Sequence, residues 1–215
     1  MRTVGSTRET TWPVIRAAGI ELIYEHGFEA MNLRQLAKAA GLKGGGSLYN
    51  YFASKEEFLF RLLCEIMEEI LAEVADCLDN EAPPLERLKS FVKFHIEWHT
   101  GRRKETFISH MEMRSLPAKR YKAYVRLRKQ YEEYFIGIIL EGCKTGAFTV
   151  SHPHLVTQSV LSMLTSVCYW YKSGGPIGQD RLIEEHTRMV LAIVTSGVSS
   201  AQSAVERTAR HGSKM

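Results

Sequence analysis

The sequence predicts an all-α protein: short helices at the N-terminus, then a larger helical bundle. Three observations carry this. Apolar residues recur at helical spacing through most of the 215 residues. Glycine and proline punctuate that pattern at helix-length intervals. No stretch alternates apolar and polar positions in the β-branched-rich manner of a strand. With 45% hydrophobic and 24% charged residues, the chain is long enough for a core and one or two domains. No motif recurs at a fixed period, which excludes a repeat array.

The elements follow in order. Thr11-Trp12-Pro13 opens the first helix, a hydroxyl cap followed by a proline that first turns tolerate. Ile15, Ala18, Leu22 and Ile23 share its apolar face, and Gly27 stops it. Asn32 caps a second, short helix carrying Leu33, Leu36, Ala37 and Ala40, and Gly41 ends it. Gly44-Gly45-Gly46 then leads into a third, Ser47 to Phe52. Ser54-Lys55-Glu56-Glu57 has capping-box spacing and starts a long helix from Lys55 to about Glu81, with Leu59, Leu62, Leu63, Ile66 and Ile70 as its stripe. Pro83-Pro84 breaks the chain. Helices are expected at about 84–100, 103–115, 117–145, 153–172 and 180–198, separated by Gly101, Pro117, Gly146, His152-Pro153 and Gly174-Gly175-Pro176. That makes about nine. Beyond Ser199 the residues turn small and polar, the composition of a frayed tail. The expected domains are 9–55, a connector helix over 56–81, a second domain over 82–198, and a flexible tail over 199–215.

Composition excludes several functions. Twenty-eight basic residues against 24 acidic ones give a net charge of +4, too little to mark a nucleic-acid binder by itself. Residues 1–60 hold seven basic and six acidic side chains, and residues 82–135 hold thirteen and six, so the basic excess lies mid-chain. No apolar run approaches the roughly 18–20 residues of a membrane span. The polar N-terminus lacks a signal core, so a cytoplasmic protein with no membrane partner is expected. Cys64, Cys77, Cys143 and Cys168 form no CxxC pair and read as buried free thiols rather than a zinc or disulfide site. The triple glycine lacks the Gly-Lys-Ser/Thr of a phosphate loop. His95 and His99 stand at i, i+4 and read either as a metal pair or as packing residues; no third ligand is evident. His152 and His154 flank Pro153 and read as surface residues. With no paired acid–base or nucleophile groups, no metal site and no resident cofactor are expected, and an enzyme is not.

Residues 32–52 have the makings of a helix-turn-helix. Ala37 and Ala40 are small enough for a second helix to cross closely. Leu48 and Phe52 would anchor that helix, and Ser47, Tyr49, Asn50 and Tyr51 would face a major groove. Lys55, at the next helix's start, is placed to hold a phosphate. Ordinary alternatives remain for single residues: Tyr49 and Tyr51 as packing aromatics, Arg34 as a solvated charge, Lys55 as a surface lysine.

The stretch Ile15-Arg16-Ala17-Ala18 … Tyr24-Glu25-His26-Gly27-Phe28 … Asn32-Leu33-Arg34-Gln35-Leu36-Ala37 … Ala40-Gly41 … Gly46-Ser47-Leu48-Tyr49-Asn50-Tyr51-Phe52-Ala53-Ser54-Lys55-Glu56-Glu57 resembles the DNA-binding domain of TetR-family transcriptional regulators. The resemblance implies an all-helical homodimer, a palindromic double-stranded operator, and a small effector that releases it. The implied DNA-binding residues are Asn32, Arg34, Gly46, Ser47, Tyr49, Asn50, Tyr51 and Lys55. The chain has one residue more than the family pattern between Gly41 and Leu48-Tyr49. Inside a helix that insertion would rotate everything after it by about 100°, so it is assigned to the turn, Lys43 to Gly45.

In the second domain, aromatic and basic residues are interleaved. Trp98, Met111 and Tyr131 are expected to line an apolar cavity, with Arg114, Arg120 and Arg128 near its entrance; Tyr124 and Trp170 complete the candidate ligand set. A core aromatic stripe with a solvated basic face is the other reading. The segment Glu112-Met113-Arg114-Ser115-Leu116-Pro117 … Arg128-Lys129-Gln130-Tyr131-Glu132 … Glu141-Gly142 … Gly146-Ala147-Phe148, with Trp170-Tyr171-Lys172, is similar to family members that regulate fatty-acid or sterol degradation. That similarity implies an acyl-CoA thioester as effector. Val160, Leu161, Leu164, Met189 and Ile193 form the expected dimer surface; packing inside their own chain is the alternative. The function expected is therefore a ligand-released repressor, with a helical carrier or interaction protein that does not bind DNA as the alternative.

Overall fold

The computed structural model describes residues 8–43 and 45–196. Among them the regular structure is helical throughout: α1 (Arg8–His26), α2 (Leu33–Ala39), a 3-10 turn (Gly45–Asn50), α3 (Lys55–Cys77), α4 (Pro84–Gly101), α5 (Arg103–Met111), a second 3-10 turn (Met113–Ser115), α6 (Ala118–Thr145), α7 (Pro153–Thr165), α8 (Val167–Trp170) and α9 (Gln179–Thr195). The expected tail, 199–215, and Gly44 lie outside the described residues.

Where helix bounds differ from expectation, the cause is local. α1 starts before Thr11, so Pro13 falls inside it and forfeits one ladder bond. α3 stops at Cys77, short of Glu81. There the Asp79 carboxylate accepts the Glu81 amide at 2.9 Å and offers the backbone a turn instead. The helix expected over 103–115 breaks at Glu112 and resumes as a 3-10 turn. The helix expected over 153–172 divides at Ser166, whose hydroxyl donates back to the Met163 carbonyl at 2.7 Å.

The chain forms two compact units. One holds the residues up to Ile70 together with Arg102–Arg128; the other holds Leu71–Gly101 together with the residues from Lys129 on. The first unit is built on an aromatic cluster. Trp12 meets Phe58 edge-on at 6.0 Å and Phe52 at 6.5 Å. Phe58 lies so close over α1 that a Cβ at Gly19 would come within 2.1 Å of its ring. Polar ties surround this core. Glu69 accepts from Arg16 at 3.1 Å and from Arg102 at 2.6 Å, which links α1 and α3 to the residue that precedes α5. The Trp12 indole N–H donates to Glu65 at 2.8 Å.

In the second unit α4 packs against α7, α8 and α9. Phe91, Tyr131 and Phe135 form its aromatic centre, with ring separations of 5.5 and 5.0 Å from Phe91. The paired histidines belong to this core. His95 Nδ1 is 3.0 Å from the Tyr131 hydroxyl, its Nε2 is 3.1 Å from Thr165, and its ring stacks on His99 at 3.8 Å. Among the described residues no group of three potential ligands could hold a metal ion. None of the described helices is long and apolar enough to cross a membrane.

The four cysteines are free, but the expectation that all are buried needs correction. Cys168 is buried, Cys64 and Cys143 are partly so, and Cys77, the last residue of α3, is exposed. Burial, reinforced by Glu68 and Glu65, pushes the Cys64 thiol up to about 11.

Candidate nucleic-acid interface and effector site

The site starts from the capping of α2. Asn32 Oδ1 accepts the Gln35 amide at 2.9 Å, and Gln35 Oε1 accepts the Asn32 amide at 3.0 Å, a closed capping box. At the other end Gly41 adopts φ 68°. The Leu42 amide reaches back to the Ala37 carbonyl at 2.8 Å and the Gly41 amide to Lys38 at 3.1 Å, the paired bonds of a Schellman stop. Ala37 and Ala40 are buried where α2 meets the next element.

That element, expected as a helix over Ser47–Phe52, is a 3-10 turn over Gly45–Asn50. The expected anchor survives. Leu48 and Phe52 are both buried, and the Phe52 amide still reaches the Leu48 carbonyl at 3.2 Å. With Leu48 held inside, Tyr49 is 61% exposed, and Gly46 and Asn50 are exposed beside it. Ser47 and Tyr51 are half-buried. Arg34 is exposed on α2, as are Lys38 and Lys43, two cations that the sequence reading did not single out. Asn32 is exposed, but its side chain is engaged in the cap.

Lys55 is half-buried. Its ammonium donates to the Glu29 carbonyl at 3.0 Å and lies 4.4 Å over the Phe28 ring. The start of α3 is capped by Ser54, which accepts the Glu57 amide at 3.2 Å, while Glu57 accepts the Ala53 amide at 2.9 Å. Glu56 beside it is held below the usual carboxylate range, chiefly by its own backbone N–H and then by Ser54. The turn between α1 and α2 is fixed from the residue that ends α5, where Glu112 Oε1 accepts the Phe28 amide at 3.0 Å.

The candidate ligand residues divide between the units. In the first, Tyr124 is fully buried, and Arg128, one turn on, lies 3.3 Å from His110 Nδ1. Burial raises the Tyr124 phenol, while Arg128 and Ser109 pull the other way. Arg120 is paired with Glu57 at 3.8 Å, and Met111 and Arg114 are exposed. In the second unit, Trp98 and Tyr131 are buried. Trp170 is exposed and stacks on His186 at 6.4 Å.

Residues 15–62 match the bacterial regulatory proteins of the tetR family. Residues 81–194, more than half of the chain, match the tetracyclin repressor-like C-terminal domain. The chain belongs to the tetR family. It is 28% identical to the HTH-type transcriptional repressor KstR2 of Mycobacterium tuberculosis over 176 residues, 80% of this chain and 86% of that protein. The solved structure of the ketosteroid transcriptional regulator KstR2 of M. tuberculosis has a TM-score of 0.76 at 26% identity, covering 90% of this chain and 99% of that one. FadR of Bacillus subtilis in complex with stearoyl-CoA has a TM-score of 0.72 at 21% identity, covering 85% of this chain and 99% of that one. AibR in complex with isovaleryl coenzyme A and operator DNA has a TM-score of 0.73 at 21% identity, covering 83% and 97%. The last two likenesses show the fold.

The tetR family is one of helix-turn-helix transcriptional regulators, not enzymes, and the capped α2 and the Gly45–Asn50 turn are this regulator's helix-turn-helix. In its C-terminal domain, Val160 and Leu164 have no exposed surface and Leu161 little; they sit in their own chain's core on α7. They therefore bring no fresh apolar area to a dimer. Met189 and Ile193, i and i+4 on α9, are 39% and 41% exposed. The sequence reading named Glu112 only within a family-like segment, without a role, and did not single out Thr106 and Ser109. The signal it passed over for those two was a pair of hydroxyls at i, i+3 on one face of α5.

Proposed function

We propose that this regulator is a homodimeric repressor that binds a palindromic duplex operator and is released by an acyl-CoA thioester. The observation that carries the DNA reading is the turn that buries Leu48 and Phe52 while presenting Tyr49 and Asn50 outward, on a chain of the tetR family. Gly46, Ser47, Tyr49, Asn50 and Tyr51 would meet the major groove and flanking phosphates; Asn32, Arg34 and Lys55 would position α2 and α3 beside them. Two copies would present these turns about 34–36 Å apart. The solvent-facing part of α9, with Met189 and Ile193, would join the protomers. The DNA-binding part would run over 9–55, the connector over 56–81, and the effector and dimer part over 82–198.

Support for the effector comes from two sides. The relatives include a ketosteroid regulator and proteins solved with stearoyl-CoA and isovaleryl coenzyme A. This chain has Tyr124 and Arg128 one turn apart on α6, with Arg114 nearby in sequence, exposed and available for phosphates. The effector must favour one of two states, since equal affinity shifts nothing.

The test is anisotropy titration of the purified protein onto the duplex upstream of its own gene, with and without a panel of short, long and steroid CoA thioesters. Nanomolar binding that one thioester reverses is the expected result. Failure to bind any duplex in dilute buffer overturns the repressor reading, and indifference to every thioester overturns the effector. A helical carrier without DNA binding is the second reading, favoured by the capture of Lys55 by the Glu29 carbonyl. It predicts thioester binding and no duplex binding.

A further inference from the structure

We infer that α5 and α6 carry a recess for the carbonyl oxygen of an acyl group, lined by Thr106, Ser109, Tyr124 and Arg128. This deepens, and rests on, the effector reading above.

The recess is marked by polar groups that the chain itself does not satisfy. Thr106 is 3% exposed, Ser109 4% and Tyr124 not at all. None of the three hydroxyls has a hydrogen-bond partner within the described chain. Native cores seldom leave one buried hydroxyl in that condition, let alone three together. Thr106 and Ser109 stand at i, i+3 on α5 and so share a face. Ser109 and Arg128 act on the Tyr124 phenol, without a well-formed hydrogen bond from either. Arg128, at i+4 from Tyr124 on α6, completes the group. Its Nη1 lies 3.3 Å from His110 Nδ1 and 3.9 Å from the Met113 sulfur, and no carboxylate pairs with it among the described residues. Arg128 thus brings one permanent positive charge beside three hydroxyl donors.

That inventory selects the ligand atom. An alkyl chain would leave all three hydroxyls unsatisfied. An amine would face the guanidinium. A diphosphate needs several cations, and this recess has one. A carbonyl-type oxygen accepts two or three hydrogen bonds from such donors and needs no more than one cation beside it. It has two chemical sources, a thioester or a free carboxylate.

The test compares stearoyl-CoA, its thioether analogue S-octadecyl-CoA (which lacks the carbonyl) and stearate, by titration calorimetry on the full chain. The same comparison with isovaleryl-CoA and S-isopentyl-CoA covers short chains. Wild type is expected to bind a thioester at least tenfold more tightly than its thioether, the usual scale for hydrogen bonds left unpaired in a buried site. Thr106→Val, Ser109→Ala and Tyr124→Phe should each pull that ratio toward one, the loss falling on the thioester rather than on its thioether. Thr106→Val should also raise the Tm of the unliganded protein. Stearate binding as tightly as stearoyl-CoA identifies the free carboxylate as the source; weaker binding identifies the thioester.

Equal affinity of wild type for thioester and thioether overturns the inference and leaves the effector reading standing. So does a ratio that none of the three substitutions moves, the result expected of a recess filled by water. No binding of any thioester overturns the effector reading and the recess with it.

Discussion

Removing the Glu112 carboxylate should loosen the turn between α1 and α2, which leads into the helix-turn-helix. Its Oε1 accepts the Phe28 amide at 3.0 Å, and its Oε2 accepts the Ser115 hydroxyl at 3.1 Å. Phe28 is 2% exposed, so water cannot readily replace the lost acceptor. An amide bond to a charged group contributes about 1.5–3 kcal/mol when buried. Glu112 itself is only half-buried, so about 1–2 kcal/mol is the appropriate figure for Glu112→Ala. For a chain of this size that corresponds to a fall in Tm of about 2–8 °C. Glu112→Gln keeps an acceptor without the charge and should lose about half as much. Thermal unfolding gives the total, and amide hydrogen exchange locates it. Exchange at Phe28 should accelerate about tenfold in Glu112→Ala, with amides of the second unit's core unchanged. If Phe28 exchanges at the wild-type rate and Tm is unaltered, the bond does not hold the turn.

Other substitutions follow from equally specific contacts. Gly19→Ala forces a Cβ to 2.1 Å from the Phe58 ring, so urea denaturation should show a loss of about 2–3 kcal/mol. If α9 joins the protomers as proposed, Met189→Glu with Ile193→Glu, which places charges on its exposed part, should show only monomers in sedimentation where wild type sediments as a dimer. Tyr49→Ala should weaken duplex binding about tenfold in anisotropy titrations, to a similar degree on operator and unrelated DNA if Tyr49 contacts phosphate. Burial, and to a lesser degree Cys77, holds the Tyr131 phenol well above its usual range. Its stabilising contribution is therefore complete below the unfolded value of about 10 and is lost as pH rises beyond it. Tyr131→Phe should flatten the alkaline limb of a stability–pH curve.

Features that depend on neighbours in sequence were legible without coordinates. Asn32 and Gln35 cap each other three residues apart, and Gly41 takes the positive φ that a side chain resists, so both ends of α2 could be read directly. The Leu48/Phe52 anchor could be read because spacing by four buries both residues. The same spacing did not distinguish an α-helix from a 3-10 turn followed by a single i+4 bond, which is what Gly45–Phe52 adopts. The division at Ser166 depends on which carbonyl its hydroxyl takes, a choice packing makes. Apolar pattern located Val160 and Leu164 on a buried face but not whose core buries them. Lys55 looked free because Glu29, whose carbonyl it meets, is 26 residues away in sequence.

The charge map changes meaning once the chain is folded. A helix-turn-helix segment with seven basic and six acidic side chains over residues 1–60 is poorly equipped to attract a polyanion. Yet the compact unit that contains it also takes in Arg102–Arg128, where nine cations meet two carboxylates. Part of that excess is spent internally: Arg102 on Glu69, Lys104 on Glu21, and Arg120 on Glu57. Arg114, Lys119, Lys122 and Arg126 remain exposed. Exposed charges act over a Debye length of about 8 Å at physiological salt, and their sum governs encounter rather than register. Under the proposed DNA reading, Tyr49 and Asn50 would supply the fit to the duplex, and the mid-chain cations would supply the long-range attraction that the first sixty residues lack. Such a division of labour would let a tetR-family member with an almost neutral N-terminal segment still draw in a duplex.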